Sequence, residues 1–413
     1  MLQDFIDRHF YSLLIFTLIF GVILYDTLGF NYTDEICTLI FCSLYIYYVF
    51  HTKDWEINKL FLITIGVFLF YLIYSFKIHS NVKIGILTDF IIQLKPYLGF
   101  FCIYAIAPKL DSNKKKLTQH ICLILSIYLL IIGIIDILSP FFLYTYMGHP
   151  SRFATAVSII ALLYLYCSNY TIKDKIIFIA ILTIGLISGR SKFYGFYALS
   201  FFLVFYIDQK FKLKFSLKNL LFFIIAITVV FLVAKEKIVL YFIEGGISSG
   251  KGEEDLYARM ALYYFSGEIF SDFFPFGSGF ASYATFASAE YYSPLYAHYH
   301  IDIMHGLTPD DPSFMADTYY PALAQFGIIG AVLFFAFWIY LSKKTFSYFE
   351  ELKCTKEFVI TILIIGFFLI ECTTDSTITH NRGLFVMMFL GLTLSTMKTI
   401  KNVSDRSLNI NDY

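Results

Sequence analysis

Apolar residues run along this chain in blocks of roughly 15 to 20, parted by short polar breaks, and a helix of that length crosses a ~30 Å hydrocarbon core. Twelve spans are predicted, at 10–28, 36–50, 60–76, 90–107, 120–139, 153–167, 176–188, 191–207, 219–234, 322–341, 357–370 and 383–398. Only Gly189-Arg190 separates 176–188 from 191–207, so one long span with a re-entrant segment competes with two spans there. The pattern breaks at length once, over 235–320, where most of the polar chemistry lies. The expected fold is an all-α polytopic membrane protein of about 12 transmembrane helices in three parts. Spans one to nine occupy 1–234, a long external (periplasmic) loop occupies 235–320, and spans ten to twelve with a cytoplasmic tail occupy 321–413.

Composition agrees. The chain is 58% hydrophobic and 15% charged, with mean hydropathy +0.69, where a soluble domain carries about 25% charged residues. The zero net charge says little about partners, because the charges are sorted by side. With the N-terminus inside, 20 of the 31 Lys and Arg residues fall on inside segments and 11 outside, the bias the positive-inside rule requires. Both termini are then cytoplasmic and the long loop external. Four of the six arginines (Arg152, Arg190, Arg259 and Arg382) fall on the external side. Lysine suffices to anchor a loop, whereas the guanidinium fork binds phosphate or carboxylate through two bonds. External arginines at span ends therefore point to an anionic ligand; the competing reading is pairing with Asp136, Glu371 or Asp375. The seven cysteines are scattered, which favours neither a disulfide framework nor a metal knuckle. The first span has no small-residue cleavage site after it and is read as a retained anchor.

In chain order, residues 1–135 are expected to be scaffold. The run Lys109 to Lys116 is an orientation anchor; Lys95, beside Pro96 within a span, must face protein or water; His79, Lys83 and Asp89 are expected externally. An external turn, Met147 to Arg152, leads into span six. The hairpin Ser188-Gly189-Arg190-Ser191-Lys192 combines a glycine turn with two cations, an arrangement suited to a phosphate group. In the loop, a Gly/Ser-rich hinge (Glu244 to Gly252) precedes an amphipathic helix over 253–272. Its apolar positions are Leu256, Met260, Tyr263, Tyr264 and Ile269, with Arg259 on the polar side. A turn at Pro275 to Gly279 ends it. Tyr283, Tyr291, Tyr292, Tyr296 and Tyr299 read either as an interfacial belt or as a stacking surface for sugar rings. His298, His300, His305 and Asp302 carry the residue types of a zinc site but lack its spacing; a substrate-binding or proton-transferring histidine is the better reading, beside that of ordinary loop residues. Asp317 begins the segment through Tyr319 into span ten, as a candidate base or as a helix N-cap. The turn 373–382 adds Asp375, His380 and Arg382.

Together the Ser188-Gly189-Arg190-Ser191 hairpin, the Arg259 helix leading to Pro275-Phe276-Gly277-Ser278-Gly279-Phe280, the Asp317 to Gly330 segment and the long late loop resemble the O-antigen polymerase and ligase superfamily. The resemblance covers about residues 145–395. Where ligase-type members and many polymerases carry His-Asn, this chain has Asp317-Thr318, so no catalytic histidine carries over to that position and the polymerases fit better. The resemblance implies a GT-C-like membrane glycosyltransferase of the bacterial inner membrane. It would polymerise undecaprenyl-pyrophosphate-linked repeat units, using lipid-linked glycan as donor and acceptor. Partners would be membrane lipids and a chain-length regulator protein, and no nucleic acid. Asp317, Arg190 and Arg259 are then the expected catalytic residues, with Arg152, Lys192, His298, His300, His305, Tyr319 and Arg382 binding substrate. No cofactor or metal is needed if arginine carries the leaving-group charge. A ligase that transfers finished glycan, or a lipid-linked oligosaccharide flippase, is the alternative; a transporter would be expected to show matched halves.

Overall fold

A computed structural model describes residues 2–28, 33–51, 55–208 and 253–411. The regular structure among the described residues is all helical, without strands. The longer helices are α1 (Leu2–Phe16, continued by a π-helix over Thr17–Ile23), α2 (Thr33–His51), α3 (Trp55–Ile78), α4 (Lys83–Ile106), α5 (Ser112–Leu138), α6 (Pro150–Cys167), α7 (Ile172–Ile184), α8 (Ser191–Tyr206), α9 (Glu253–Asp272), α10 (Gly327–Leu352), α11 (Thr355–Glu371) and α12 (Asn381–Asn411).

Among the described residues, eight stretches are long and apolar enough to cross a membrane: Gln3–Ile23, Thr33–Phe50, Ile57–Ile78, Lys83–Ile106, Ser112–Leu138, Pro150–Cys167, Tyr319–Leu352 and Asn381–Ser404. The protein is a multi-pass helical membrane protein. Three more predicted spans are helices of 13, 16 and 17 residues, α7, α8 and α11. At 1.5 Å per residue α7 covers only about 20 Å, and a short 3-10 turn over Gly185–Ser188 extends it. The span predicted at 219–234 and the hinge Glu244 to Gly252 lie outside the described residues. The first span ends at Ile23, five residues before the predicted boundary, and Asp26 stands beyond it in a short helix, Tyr25–Leu28.

The core forms where helices meet through small residues. A Cβ on Gly391 of α12 would lie 2.6 Å from the Phe100 carbonyl oxygen of α4, and one on Gly99 2.7 Å from a Leu384 methyl. Missing side chains let these two backbones approach, the usual means of tight packing where lipid removes the hydrophobic drive between helices. Helix α6 is buried almost all round. Lys95, deep in α4, faces protein as its charge demands: its ammonium bonds Asp34 and reaches Glu35 at 2.9 Å.

Residues 273–318 build a small second core on α9. Here several sequence expectations fail. The face α9 buries carries Ala258, Ala261, Leu262 and Ile269, while Met260 and Tyr264 point outward. Alanines define that face, so an apolar-periodicity reading that weights bulky residues assigns the wrong stripe. Tyr283 and Tyr296 are fully buried and form neither an interfacial belt nor a stacking surface. Their hydroxyls are consumed internally, Tyr283 donating to the Leu262 carbonyl at 2.8 Å and Tyr296 meeting Ser288 at 2.9 Å. Asp89, expected externally, lies buried within α4 and accepts from the Ala281 N–H at 2.7 Å. The loop turn is anchored by glycine: Gly277 (φ +80°) lies so close to Gly327 that a Cβ would come within 2.2 Å of the Gly327 nitrogen.

Candidate functional site

The polar residues of one bundle end come from helix termini far apart in sequence. His149 caps α6, with Arg152 in its first turn; Arg190 precedes α8, with Lys192 in its first turn; Arg382 stands in the first turn of α12. A helix N-terminus carries partial positive charge and favours acidic residues by about 0.3–1 kcal/mol each. Cations at three such ends are the reverse of what stability selects, and together they make a strongly electropositive surface.

Carboxylates offset part of it. Asp26 bridges Arg152 and Arg382, one oxygen to each guanidinium. Arg382 and Asp26 are buried, whereas Arg152 is 43% exposed and accessible to solvent. The Arg382 Nε is buried with no hydrogen-bond partner among the described residues. Lys192, also buried, meets Glu371 at 2.6 Å and Asp375 at 3.1 Å. Arg259 bonds Asp317 through Nε, and its guanidinium lies 5.4 Å from the Phe314 ring centre. The Arg190 guanidinium meets the Tyr144 hydroxyl at 3.0 Å and His149 Nε2 at 2.8 Å. The other ring nitrogen of His149 faces the Ser151 N–H at 3.2 Å. A neutral imidazole accepts at only one nitrogen, so His149 cannot satisfy both donors at once.

These groups form one electrostatic unit. Asp375 acts on Asp317, His149 and His380 alike. Burial would raise the Asp375 carboxyl, but Lys192 and then His380 outweigh it and hold it at about 2. Burial raises Asp317 above the ordinary carboxylate range against the pull of Arg259. Burial, reinforced by Arg190, pushes His149 down to about 3, and burial likewise lowers His380 despite Asp375. At neutral pH both imidazoles are therefore uncharged.

Bonds to backbone carbonyls fix the loop against this end. The Tyr263 hydroxyl of α9 donates to the Thr373 carbonyl at 2.7 Å, and the Tyr319 N–H donates to Cys372 at 3.2 Å. Of the ten residues singled out from the sequence, Arg152, Arg190, Lys192, Arg259, Asp317 and Arg382 meet here. Tyr319 lies beneath them, buried, its hydroxyl donating to Gln93 at 3.0 Å; it supports the segment and presents no free hydroxyl to a ligand. His305 pairs with Asp311 at 3.2 Å and contacts the Phe314 ring on which Arg259 lies. His298 packs on Tyr299 and His300 adopts a left-handed backbone (φ +57°); neither contacts the charged cluster among the described residues. Glu371 and Asp375, weighed as partners for arginine, pair with Lys192 instead, and Asp136 accepts from the Leu143 N–H at 2.8 Å.

Asp26, His149 and Tyr144 were not anticipated. A carboxylate inside a predicted apolar span was the available signal for Asp26, since intramembrane acids rarely occur without a role. Below the cluster, an apolar cavity of about 310 Å³ lies between α3 and α10, lined by Val67, Phe68, Leu333, Phe334 and Phe337, with Tyr319 at its edge.

Fold and site define a multi-pass helical membrane protein with a buried cation-carboxylate constellation at one bundle end. No known protein-family profile matches the chain, and no curated protein sequence matches it.

Proposed function

We propose that the chain is a membrane glycosyltransferase that polymerises undecaprenyl-pyrophosphate-linked repeat units at the external face of the bacterial inner membrane. One observation carries the reading: four arginines and Lys192, from four separate segments, gather with Asp317 at one end of the bundle. On this reading the helices form a GT-C-like scaffold with both termini cytoplasmic. A lipid pyrophosphate at the membrane edge is the polyanion such a cluster suits, and the apolar cavity between α3 and α10 would take its chain.

The acceptor hydroxyl oxygen bonds the donor's anomeric carbon as the bond from that carbon to pyrophosphate oxygen breaks. The proton passes to Asp317, and the pyrophosphate leaves carrying the bond's electrons, its charge held by Arg190 and Arg259. Before substrate binds, Arg259 engages Asp317. A pyrophosphate that draws Arg259 away frees the carboxylate and strengthens it as a base, coupling donor binding to acceptor activation. His149, neutral and bonded to Arg190, sets that guanidinium's direction.

Glycan length in a strain lacking the gene, complemented with wild type, Arg190→Ala, Arg259→Ala or Asp317→Asn, tests this. Polymer lost with single repeat units still reaching the final acceptor supports a polymerase. Loss of all attached glycan indicates a ligase, or a flippase if lipid-linked units accumulate on the cytoplasmic side. Full-length chains from all three variants would overturn the site.

A further inference from the structure

Among the described residues, Arg190 differs from the other three external arginines in having no carboxylate partner. Arg152 and Arg382 share Asp26, and Arg259 holds Asp317. The Arg190 charge faces neutral groups instead: the two N–H groups on Nη2 go to the Tyr144 hydroxyl at 3.0 Å and to His149 Nε2 at 2.8 Å. Its Nε and Nη1 bond nothing among the described residues. A half-buried guanidinium whose charge no carboxylate offsets attracts an anion and can grip it through two bonds. Glycine turns shape the ground on either side. Gly148 (φ +69°) lies so close to Arg152 that a Cβ would stand 2.5 Å from its Nη1. A Cβ on Gly189 (φ +62°), next to Arg190, would meet nothing within 4 Å. The first turn is filled by an arginine; the second opens on space beside one.

His149 stands between the two turns with a proton conflict. Its Nδ1 faces the Ser151 N–H at 3.2 Å, the cap of α6, and its Nε2 faces Arg190. A neutral imidazole has one N–H and one lone pair. If Nδ1 accepts from Ser151, the Nε2 hydrogen points at a guanidinium nitrogen 2.8 Å away, a distance that suits a donor and an acceptor but not two donors. If Nε2 accepts from Arg190, the Nδ1 hydrogen points at the Ser151 N–H instead. An imidazolium would set donor against donor at both nitrogens. Rotating the ring offers no escape, because the Tyr144 ring stands against it at 89°, with centres 5.4 Å apart.

We propose that a phosphate group binds between His149 and Arg190, and that His149 is itself a ligand-binding residue, donating its Nε2–H to a phosphate oxygen. The anion resolves the conflict. Nδ1 keeps the Ser151 N–H and the helix cap, while Nε2–H and the Arg190 guanidinium turn from each other to the same acceptor. The phosphate belongs to the pyrophosphate of the lipid-linked substrate; for that identity the inference rests on the transferase reading, whereas the contact rests on the geometry alone.

Two amides separate the two ring nitrogens. Asparagine reaches the position of Nδ1 and caps helices well; glutamine reaches that of Nε2 and carries an N–H there. Full-length protein in neutral detergent is titrated with inorganic pyrophosphate, reading binding heat and thermal unfolding for wild type, His149→Asn, His149→Gln and Arg190→Gln. His149→Asn should unfold near the wild-type temperature yet bind pyrophosphate about tenfold more weakly, the loss of one hydrogen bond to a charged group. His149→Gln should unfold at a lower temperature yet bind within about threefold of wild type, and Arg190→Gln should bind at least as weakly as His149→Asn. A residue that only caps α6 gives the other order, with His149→Asn the better binder. That order, equal affinity in the two His149 variants, undiminished binding by Arg190→Gln, or no binding by wild type overturns the inference. The transferase reading fails separately, on full-length glycan from the complemented strains.

Discussion

Arg259 and Asp317 neutralise each other in the resting molecule, and the burial that raises the Asp317 carboxyl works against the arginine that lowers it. In the proposed transferase this gives the activity a recognisable acid limb. A base must be ionised, so polymerisation falls as pH drops through a midpoint above the ordinary carboxylate range, and Arg259→Gln moves that midpoint higher still. The pH-rate profile of purified enzyme checks both; an unshifted limb in Arg259→Gln removes Asp317 as the base. Asp26 makes a different demand. It is buried between two guanidinium groups, so Asp26→Asn leaves the Arg382 charge without its counterion. The expected cost is about 3–5 kcal/mol, read by thermal unfolding in detergent, with Arg382→Gln partly rescuing the variant. Little of this was legible from the sequence. The arginines stood out by type and side, but the separations bridged, 58 residues for Arg259–Asp317 and 356 for Arg382–Asp26, leave no local pattern.

Buried histidine contributes to the pH dependence of folding. His149 has a folded-state value near 3 against an ordinary 6.5. Its unfolded form takes up a proton first, so stability present above about pH 6.5 declines as pH falls toward 3. His149→Gln should flatten the unfolding-temperature curve across that window.

At the scale of elements, the α4–α12 crossing separates two glycines that look equivalent in sequence. Gly391→Ala drives a methyl against the Phe100 carbonyl, a backbone atom that cannot swing aside; Gly99→Ala meets only the end of the Leu384 side chain. Gly391→Ala should lower the unfolding temperature markedly and Gly99→Ala slightly; equal losses would mean the helices do not cross there. Long apolar helices were readable because nothing but a helix satisfies its own backbone in lipid. The short α7 and α8 and the alanine-faced α9 blur that signal: α9 buries too little bulk to show its stripe, and α7 ends in a 3-10 turn at Gly185–Ser188.

For the whole molecule, the proposed orientation sets the arginine cluster and the far end of α10, with Lys343 and Lys344, on opposite sides of the membrane. Ser313→Cys, at the loop end, should react with an impermeant thiol reagent in intact spheroplasts, and Ser347→Cys only after permeabilisation. The seven native cysteines are buried or half-buried and give a low background. Labelling of both from the same side would refute the arrangement.

Helix α6 is enclosed by partners synthesised at very different times. Its neighbours α5 and α7 leave the ribosome with it. Tyr166, however, meets Thr396 at 3.0 Å, 230 residues later, and the Tyr166 carbonyl accepts from Lys356, 190 residues later. Of the two adjacent spans, α5 is the more apolar and faces outward far more, whereas α6 is composed for contact with protein. During biogenesis α6 must therefore wait, half-covered, while the chain from Tyr166 to Lys356, 190 residues on, is translated. Chains truncated before Thr355 should be recognised as orphans and degraded by membrane proteases, although every earlier span has been inserted.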